Sequence, residues 1–303
     1  MTDRTNPMSV WVSQVMGRQV EVPFPRSIDD LLVDRGQNRF LHLNVDLPES
    51  VDVHERVALR DGDPALTAEI YVPRGAVRLP VLLFSHGGAW FKGSAEDERK
   101  LGMQIAEAGM VVVNLDYALA PEHPFPAGLD DLVEAADWIA SNIVEFGGDP
   151  ALIALAGASA GANLSAAATG LLTSRANPIP IRALVLLYGI FDLRVMADIP
   201  GPSPLFEAYL GDAWRDRLAD PRVSPINANL ALFPPTYVSC GSEDEGLGLS
   251  LAMVGALAGS GNPVTASVVA DANHVFLNIP DVVRGAAPEL QRITAWLLDQ
   301  LAP

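Results

Sequence analysis

Four stretches of the chain carry groups that could perform acyl transfer together. Ser159 lies in Gly157-Ala-Ser-Ala-Gly161, a serine held between two glycines. An apolar run, Leu152 to Ala156, precedes it and a small-residue helical pattern follows, so the spacing predicts strand, sharp turn and helix, the nucleophile elbow G-x-S-x-G. Such a turn strains the serine backbone and lifts Oγ above the sheet edge, and side chains at the two glycines would crowd the adjoining strand and helix. The Ala160 N–H, at a helix start where donors are unpaired and the dipole is positive, can face an oxyanion. Downstream of Ser159 there is one histidine, His274 in Asp271-Ala-Asn-His274, placed to act as general base. Between them stand three adjacent carboxylates, Glu243, Asp244 and Glu245, and residue type alone leaves the acid open among them. The fourth stretch is Ser85-His86-Gly87-Gly88-Ala89-Trp90, whose paired glycines let backbone N–H groups turn toward a substrate oxygen opposite the nucleophile. His86 precedes the elbow, whereas the chain order for this turn is serine, acid, histidine, so it reads as structural.

Ligands of open parallel sheets bind at the carboxyl ends of strands, so each stretch should follow a strand. Val81–Phe84, Val111–Val113, Ala183–Leu187, Thr236–Cys240 and Thr265–Val269 read as further buried strands, separated by helical patterns at about 96 to 109, 129 to 143 and a last helix with Leu290, Ile293, Leu297 and Leu301. Gly147-Gly-Asp-Pro150 is expected to stop the middle helix, and runs flanking Asp61-Gly-Asp-Pro64 suggest an antiparallel hairpin. This alternation predicts an α/β fold with a mostly parallel sheet covered by helices on both faces. Two segments fall outside it. Residues 1–48 carry Met8, Trp11, Val12, Val15 and Met16 at helical spacing, then Ile28, Leu31 and Leu32, and are read as an N-terminal cap segment. Residues 49–303 form the catalytic domain, interrupted at about 193–222 by a proline-broken insertion with Phe206, Tyr209 and Trp214. The first stripe suits a homodimer face, a lid or a helix packed on the core, and the sequence favours the last.

Composition removes several function classes. The 303 residues hold 37 acidic and 20 basic side chains, a formal charge of −17, which repels phosphate backbones and anionic lipid heads. No nucleic-acid or membrane partner is therefore expected. Cys240 is the single cysteine, so no intrachain disulfide can form, and it reads as a small buried apolar group. The N-terminus shows no apolar signal core and no run approaches the ~20 apolar residues of a membrane span, so the expectation is a soluble cytoplasmic protein. No spacing suggests a metal site and no glycine-rich loop a phosphate cradle, so no cofactor is expected.

Taken together, the motifs resemble those of the hormone-sensitive-lipase-like esterases, bacterial family IV of the α/β-hydrolase superfamily. The likeness runs from about Val81 to Ile279 through His86-Gly-Gly-Ala-Trp90, Asp116-Tyr-Ala-Leu-Ala-Pro-Glu-His-Pro-Phe-Pro126, the elbow, the acid loop and the His274 loop. It implies an α/β-hydrolase fold of about eight strands, a helical cap built from the N-terminal segment and the insertion, and cofactor-free hydrolysis of short- to medium-chain carboxylic esters. Laid on the family from Asp244 without a gap, Leu257, Gly261 and His274 fall on its leucine, glycine and histidine, which implies Asp244 as the acid. The implied oxyanion donors are the N–H groups of Gly88, Ala89 and Ala160, with Gly87 shaping the loop, and Trp90, Phe206 and Trp214 are expected to line the substrate pocket. Three residues depart from the family pattern. Ala89 stands where glycine is frequent and is expected to tighten the pocket, Ala158 replaces an aspartate or threonine, and Gly248 replaces the second acid of the loop. The rival readings are an amidase, lactonase or deacetylase on the same residues, or a non-catalytic small-molecule receptor of this fold; the presence of Ser159, an acid and His274 weighs against the last.

Overall fold

Runs such as Val81-Leu-Leu-Phe84 have no polar alternation, so a strand built from them must be covered on both faces. In the computed structural model, which describes residues 27–35, 43–62, 64–197 and 203–302, they lie in an eight-stranded sheet. In chain order the elements are α1 (Ile28–Arg35), β1 (Val51–Arg60), β2 (Leu66–Pro73), β3 (Leu79–Ser85), α2 (Arg99–Glu107), β4 (Val111–Asp116), α3 (Ala127–Asn142) and β5 (Gly148–Ala158). There follow α4 (Ala160–Thr173), β6 (Ile181–Leu187), α5 (Ser203–Leu210), α6 (Trp214–Arg217), β7 (Thr236–Gly241), α7 (Leu247–Gly259), β8 (Val264–Val269) and α8 (Ala286–Gln300). The strand order is β1-β2-β4-β3-β5-β6-β7-β8; β1 pairs antiparallel with β2 and β2 with β4, and every later pairing is parallel. This is the α/β-hydrolase arrangement, and the hairpin expected around Asp61–Pro64 is its antiparallel edge.

Successive side chains of a strand point to opposite faces, and the core divides accordingly. Val81, Leu83, Ile153 and Leu155 pack with Leu132 and Ile139 of α3 and Leu164 of α4 on one face. Leu82, Phe84, Ala154 and Ala156 pack with Leu101 and Ile105 of α2 and Ile293 and Leu297 of α8 on the other. Each such leucine contributes roughly 1.5–3 kcal/mol by leaving water, so this two-sided burial holds the sheet rigid beneath the site.

Two boundaries differ from the sequence reading. The middle helix ends at Asn142, whose side chain donates to Trp138 O, and tightens into a 3₁₀ turn, Ile143–Phe146. Only Gly147, at φ 76°, acts as the stop; Gly148, Asp149 and Pro150 already belong to β5. The acid loop is also shorter than its motif, because Leu247 and Gly248 lie in the first turn of α7. The stripe Met8 to Met16 lies outside the described residues, and Ile28, Leu31 and Leu32 lie on α1.

Candidate active site

The elbow is built by close approach. β5 ends at Ala158, and Ser159 takes φ 55°, ψ −115°, a conformation that costs an L-residue energy and persists only where its surroundings impose it. Here they do: Ser159 N–H donates to Leu187 O at 2.8 Å, and α4 begins one residue later. A Cβ on Gly157 would overlap the Gly161 carbonyl, and one on Gly161 would overlap the carbonyl oxygens of Ser85 and His86. Behind the turn, Ser85 Oγ lies 2.8 Å from Gly161 O and 2.7 Å from Ser165 Oγ, tying β3 to the helix start.

Parallel strands deliver the partners to the same edge. β7 and β8 end in register, Gly241 beside Val269, and the two loops that follow carry Asp244 and His274. His274 Nε2 lies 2.9 Å from Ser159 Oγ and His274 Nδ1 lies 2.8 Å from Asp244 Oδ2. The second carboxylate oxygen, Oδ1, accepts from Gly246 N–H at 2.7 Å, which fixes the carboxylate plane. Glu243 and Glu245, the alternatives in the sequence, are exposed. Positive φ at Asp271 and Val275, 56° and 55°, brackets the histidine in a strained loop. Burial pushes the Asp244 carboxyl up, but His274 and the hydrogen bonds to it outweigh burial and hold it below the ordinary carboxylate range. Burial likewise pushes His274 down, and the Asp244 charge and hydrogen bond, with a smaller contribution from Glu245, leave it raised above 6.5.

The loop after β3 faces this assembly. Gly88 at φ 124° makes the sharp bend, and Phe91 and Lys92 N–H groups donate back to Gly88 O at 3.2 and 3.1 Å. A Cβ on Gly88 would run into the Lys92 carbonyl. Ala89 and Trp90 both have left-handed backbones, φ 51° and 63°. A left-handed φ at position 89 is the physical reason glycine is favoured there, and alanine carries a cost of about 1–2 kcal/mol. His86 is fully buried, its Nδ1 2.6 Å from Gly87 O, and burial lowers it to about 4, so it stays neutral and supports the loop. Ala158 is fully buried, and Gly248 faces open space in which a side chain would meet nothing.

Several supporting residues were missed in the sequence. Tyr117 stacks on His86 with centroids 4.2 Å apart and donates from its hydroxyl to His86 O at 3.0 Å. It sits in the Asp116–Pro126 string, which was legible as a motif but not as a buttress. The remainder of that string holds the loop too: Ala120 N–H donates to Trp90 O, and Asp131 Oδ2 accepts from Ala118 N–H. Tyr188, just past β6 at φ 41°, sets its ring edge-on to His274 at 5.2 Å. Its place at a strand's carboxyl end was the available signal. The pocket candidates are all buried: Trp90 stacks on Tyr209 at 4.6 Å, and Phe206 tilts against Trp214 at 5.1 Å.

Among the described residues no group of three or more His, Cys, Asp or Glu side chains is arranged to hold a metal, and no helix is long and apolar enough to cross a membrane. Residues 82–278 match the family model described as the alpha/beta hydrolase fold. The carboxylesterase NlhH of Mycobacterium tuberculosis is 32% identical over 280 residues, 86% of this chain and 86% of its own length. The carboxylic ester hydrolase LipN of the same organism is 30% identical over 86% of this chain and 73% of its own. Among solved structures, a hyperthermophilic esterase from the archaeon Pyrobaculum calidifontis superposes with a TM-score of 0.80 at 26% identity, covering 90% of this chain and 94% of that one. With this sheet, this elbow and these relatives, the chain belongs to the hormone-sensitive-lipase-like esterases, bacterial family IV of the α/β hydrolases.

Proposed function

We propose that the protein hydrolyses short- to medium-chain carboxylic esters through an acyl-enzyme on Ser159. The observation that carries this reading is the unbroken relay from Ser159 Oγ through His274 to Asp244, with 2.9 and 2.8 Å contacts. In the first half-reaction His274 Nε2 takes the Ser159 proton as Oγ attacks the ester carbonyl. The N–H groups of Gly88, Ala89 and Ala160 receive the oxyanion, with Gly87 shaping the loop, and Asp244 holds the Nδ1–H tautomer and stabilises the imidazolium. His274 returns the proton to the departing alcohol. In the second half-reaction it activates a water that attacks the acyl-enzyme, and the carboxylic acid leaves with Ser159 restored. Trp90 and the insertion with Phe206 and Trp214 supply apolar walls suited to uncharged esters.

The relatives named as carboxylesterases support the ester bond as the target. The test is release of p-nitrophenol from acetyl and butyryl esters by wild type and Ser159→Ala. Turnover by the wild type that disappears in the variant is expected. Wild-type turnover that survives Ser159→Ala at near-normal rate would exclude the mechanism.

A further inference from the structure

Two contacts hold the nitrogens of His274, Nε2 at 2.9 Å from Ser159 Oγ and Nδ1 at 2.8 Å from Asp244 Oδ2. Turning the ring about the line between its nitrogens leaves both lengths unchanged, so these contacts do not by themselves set the tilt of the imidazole plane. Proton transfer depends on that tilt, because the lone pair of one nitrogen and the N–H bond of the other lie in the ring plane and hydrogen bonds weaken as they bend. Something must therefore bear on the ring itself.

Tyr188 does so. Its ring lies 5.2 Å from the His274 ring, centroid to centroid, with the planes at 65°. The same ring meets Phe276, two residues further along the histidine loop, at 5.7 Å and 66°. Both Tyr188 and Phe276 are fully buried, so close packing leaves neither room to move aside. The tyrosine backbone is fixed as firmly: its N–H donates to Ser239 O in β7 at 2.7 Å, and its φ of 41° persists in a tyrosine only where the surroundings impose it. Leu187, the residue before it, accepts the Ser159 N–H at 2.8 Å. Two consecutive residues at the end of β6 thus reach both partners of the proton transfer, the serine through a carbonyl and the histidine through a ring. Tyr188 Oη is buried without a hydrogen-bond partner among the described residues, so the hydroxyl gives no anchor and the contact is carried by the ring.

We propose that Tyr188 is a positioning residue: its ring, pinned by the β7 contact and by Phe276, bears edge-on against His274 and sets the tilt at which Nε2 faces Ser159 Oγ and Nδ1 faces Asp244. This rests on the ester-hydrolase reading above. A methionine in its place would fill similar space with a flexible chain that offers no rigid plane. The imidazole would then spend time at tilts from which the proton does not pass, and acyl transfer would slow. Tyr188, being fully buried, presents no surface to the ester, so substrate binding would stay as it was.

The test compares Tyr188→Met with Tyr188→Phe, using kcat and KM for p-nitrophenyl butyrate, circular dichroism for folding, and the proton resonance of His274 Nδ1–H. Tyr188→Met should lose roughly ten- to a hundredfold in kcat with KM within about twofold, and its Nδ1–H resonance should broaden. Tyr188→Phe, which restores the ring, should return kcat to within about threefold of wild type and sharpen the resonance again. Equal loss of kcat in the two variants overturns the proposal, since the hydroxyl and not the ring would then be the working group. Near-normal kcat in Tyr188→Met overturns it, as does a loss of kcat with the Nδ1–H resonance unaltered, which a merely structural ring would give. A Tyr188→Met that fails to fold while Tyr188→Phe folds also counts against it, because the ring would then be a support of the core. Any of these in an active wild type removes only the role of Tyr188. A wild type that turns over no ester removes the parent reading with it.

Discussion

At the scale of single residues, chemistry is assigned by which atoms meet. Asp244 was one of three neighbouring carboxylates in the sequence; it is buried at 7% exposure and reaches His274 Nδ1, while Glu243 and Glu245 face solvent. Asp244→Asn should lower kcat by about 10⁴, the size of the loss when the acid of a serine-protease triad is amidated, whereas Glu243→Gln should stay within about threefold. Equal losses in both variants, with folding intact by circular dichroism, would move the acid to another position. The sign of the pH dependence follows from the same pair. Asp244 and Glu245 raise His274 against burial, and only the neutral imidazole accepts the serine proton, so activity should fall on acidification with a midpoint above the ordinary 6.5. Glu245→Gln removes one of the raising charges and should move the midpoint to lower pH; an upward movement would contradict the assignment.

At the scale of elements, what was legible in the sequence is what close-range sterics and periodicity dictate. The strand-turn-helix around Ser159 and the parallel alternation follow from local pattern and are present in the structure, and His274, singled out by chain order, lies with Nε2 2.9 Å from Ser159 Oγ. Supports that depend on contacts distant in sequence were not legible. Tyr117 stands in the Asp116–Pro126 string, and only the fold brings its ring onto His86 and its hydroxyl to His86 O. Asn142 ended its helix earlier than the Gly-Gly-Asp-Pro signal suggested, because a side-chain hydrogen bond and a 3₁₀ turn intervened. The Ala89 departure, read as a tighter pocket, proves also to be a left-handed backbone position. The elbow itself makes a sharp prediction. Gly161→Ala places a Cβ against the backbone oxygens of Ser85 and His86, which cannot yield without moving β3, so it should cost about 3 kcal/mol or more. Urea denaturation would show this, and a loss under 1 kcal/mol on that scale would mean the strand and helix are not packed this closely.

At the scale of the whole molecule, α1 is tied to the body through the loop that follows β3, where the proposed oxyanion donors lie. Arg35 at the end of α1 donates to Phe91 O at 2.5 Å and to Ala120 O, and pairs with Glu122 at 2.8 Å, while Lys92 pairs with Asp34. Arg35→Met should release α1, raising KM for butyrate esters more than it lowers kcat and exposing the segment to trypsin; unchanged KM and protease resistance would show that α1 docks by other contacts. In the proposed mechanism all these elements serve one event, the transfer of an acyl group to Ser159 Oγ. The most direct measurement is a peptide mass map after treatment with a fluorophosphonate that mimics the tetrahedral oxyanion, taken alongside residual esterase activity. A single adduct on the peptide containing Ser159, rising in step with loss of turnover, is the predicted result. Full inactivation with the adduct on another residue, or a labelled Ser159 with turnover intact, would contradict it.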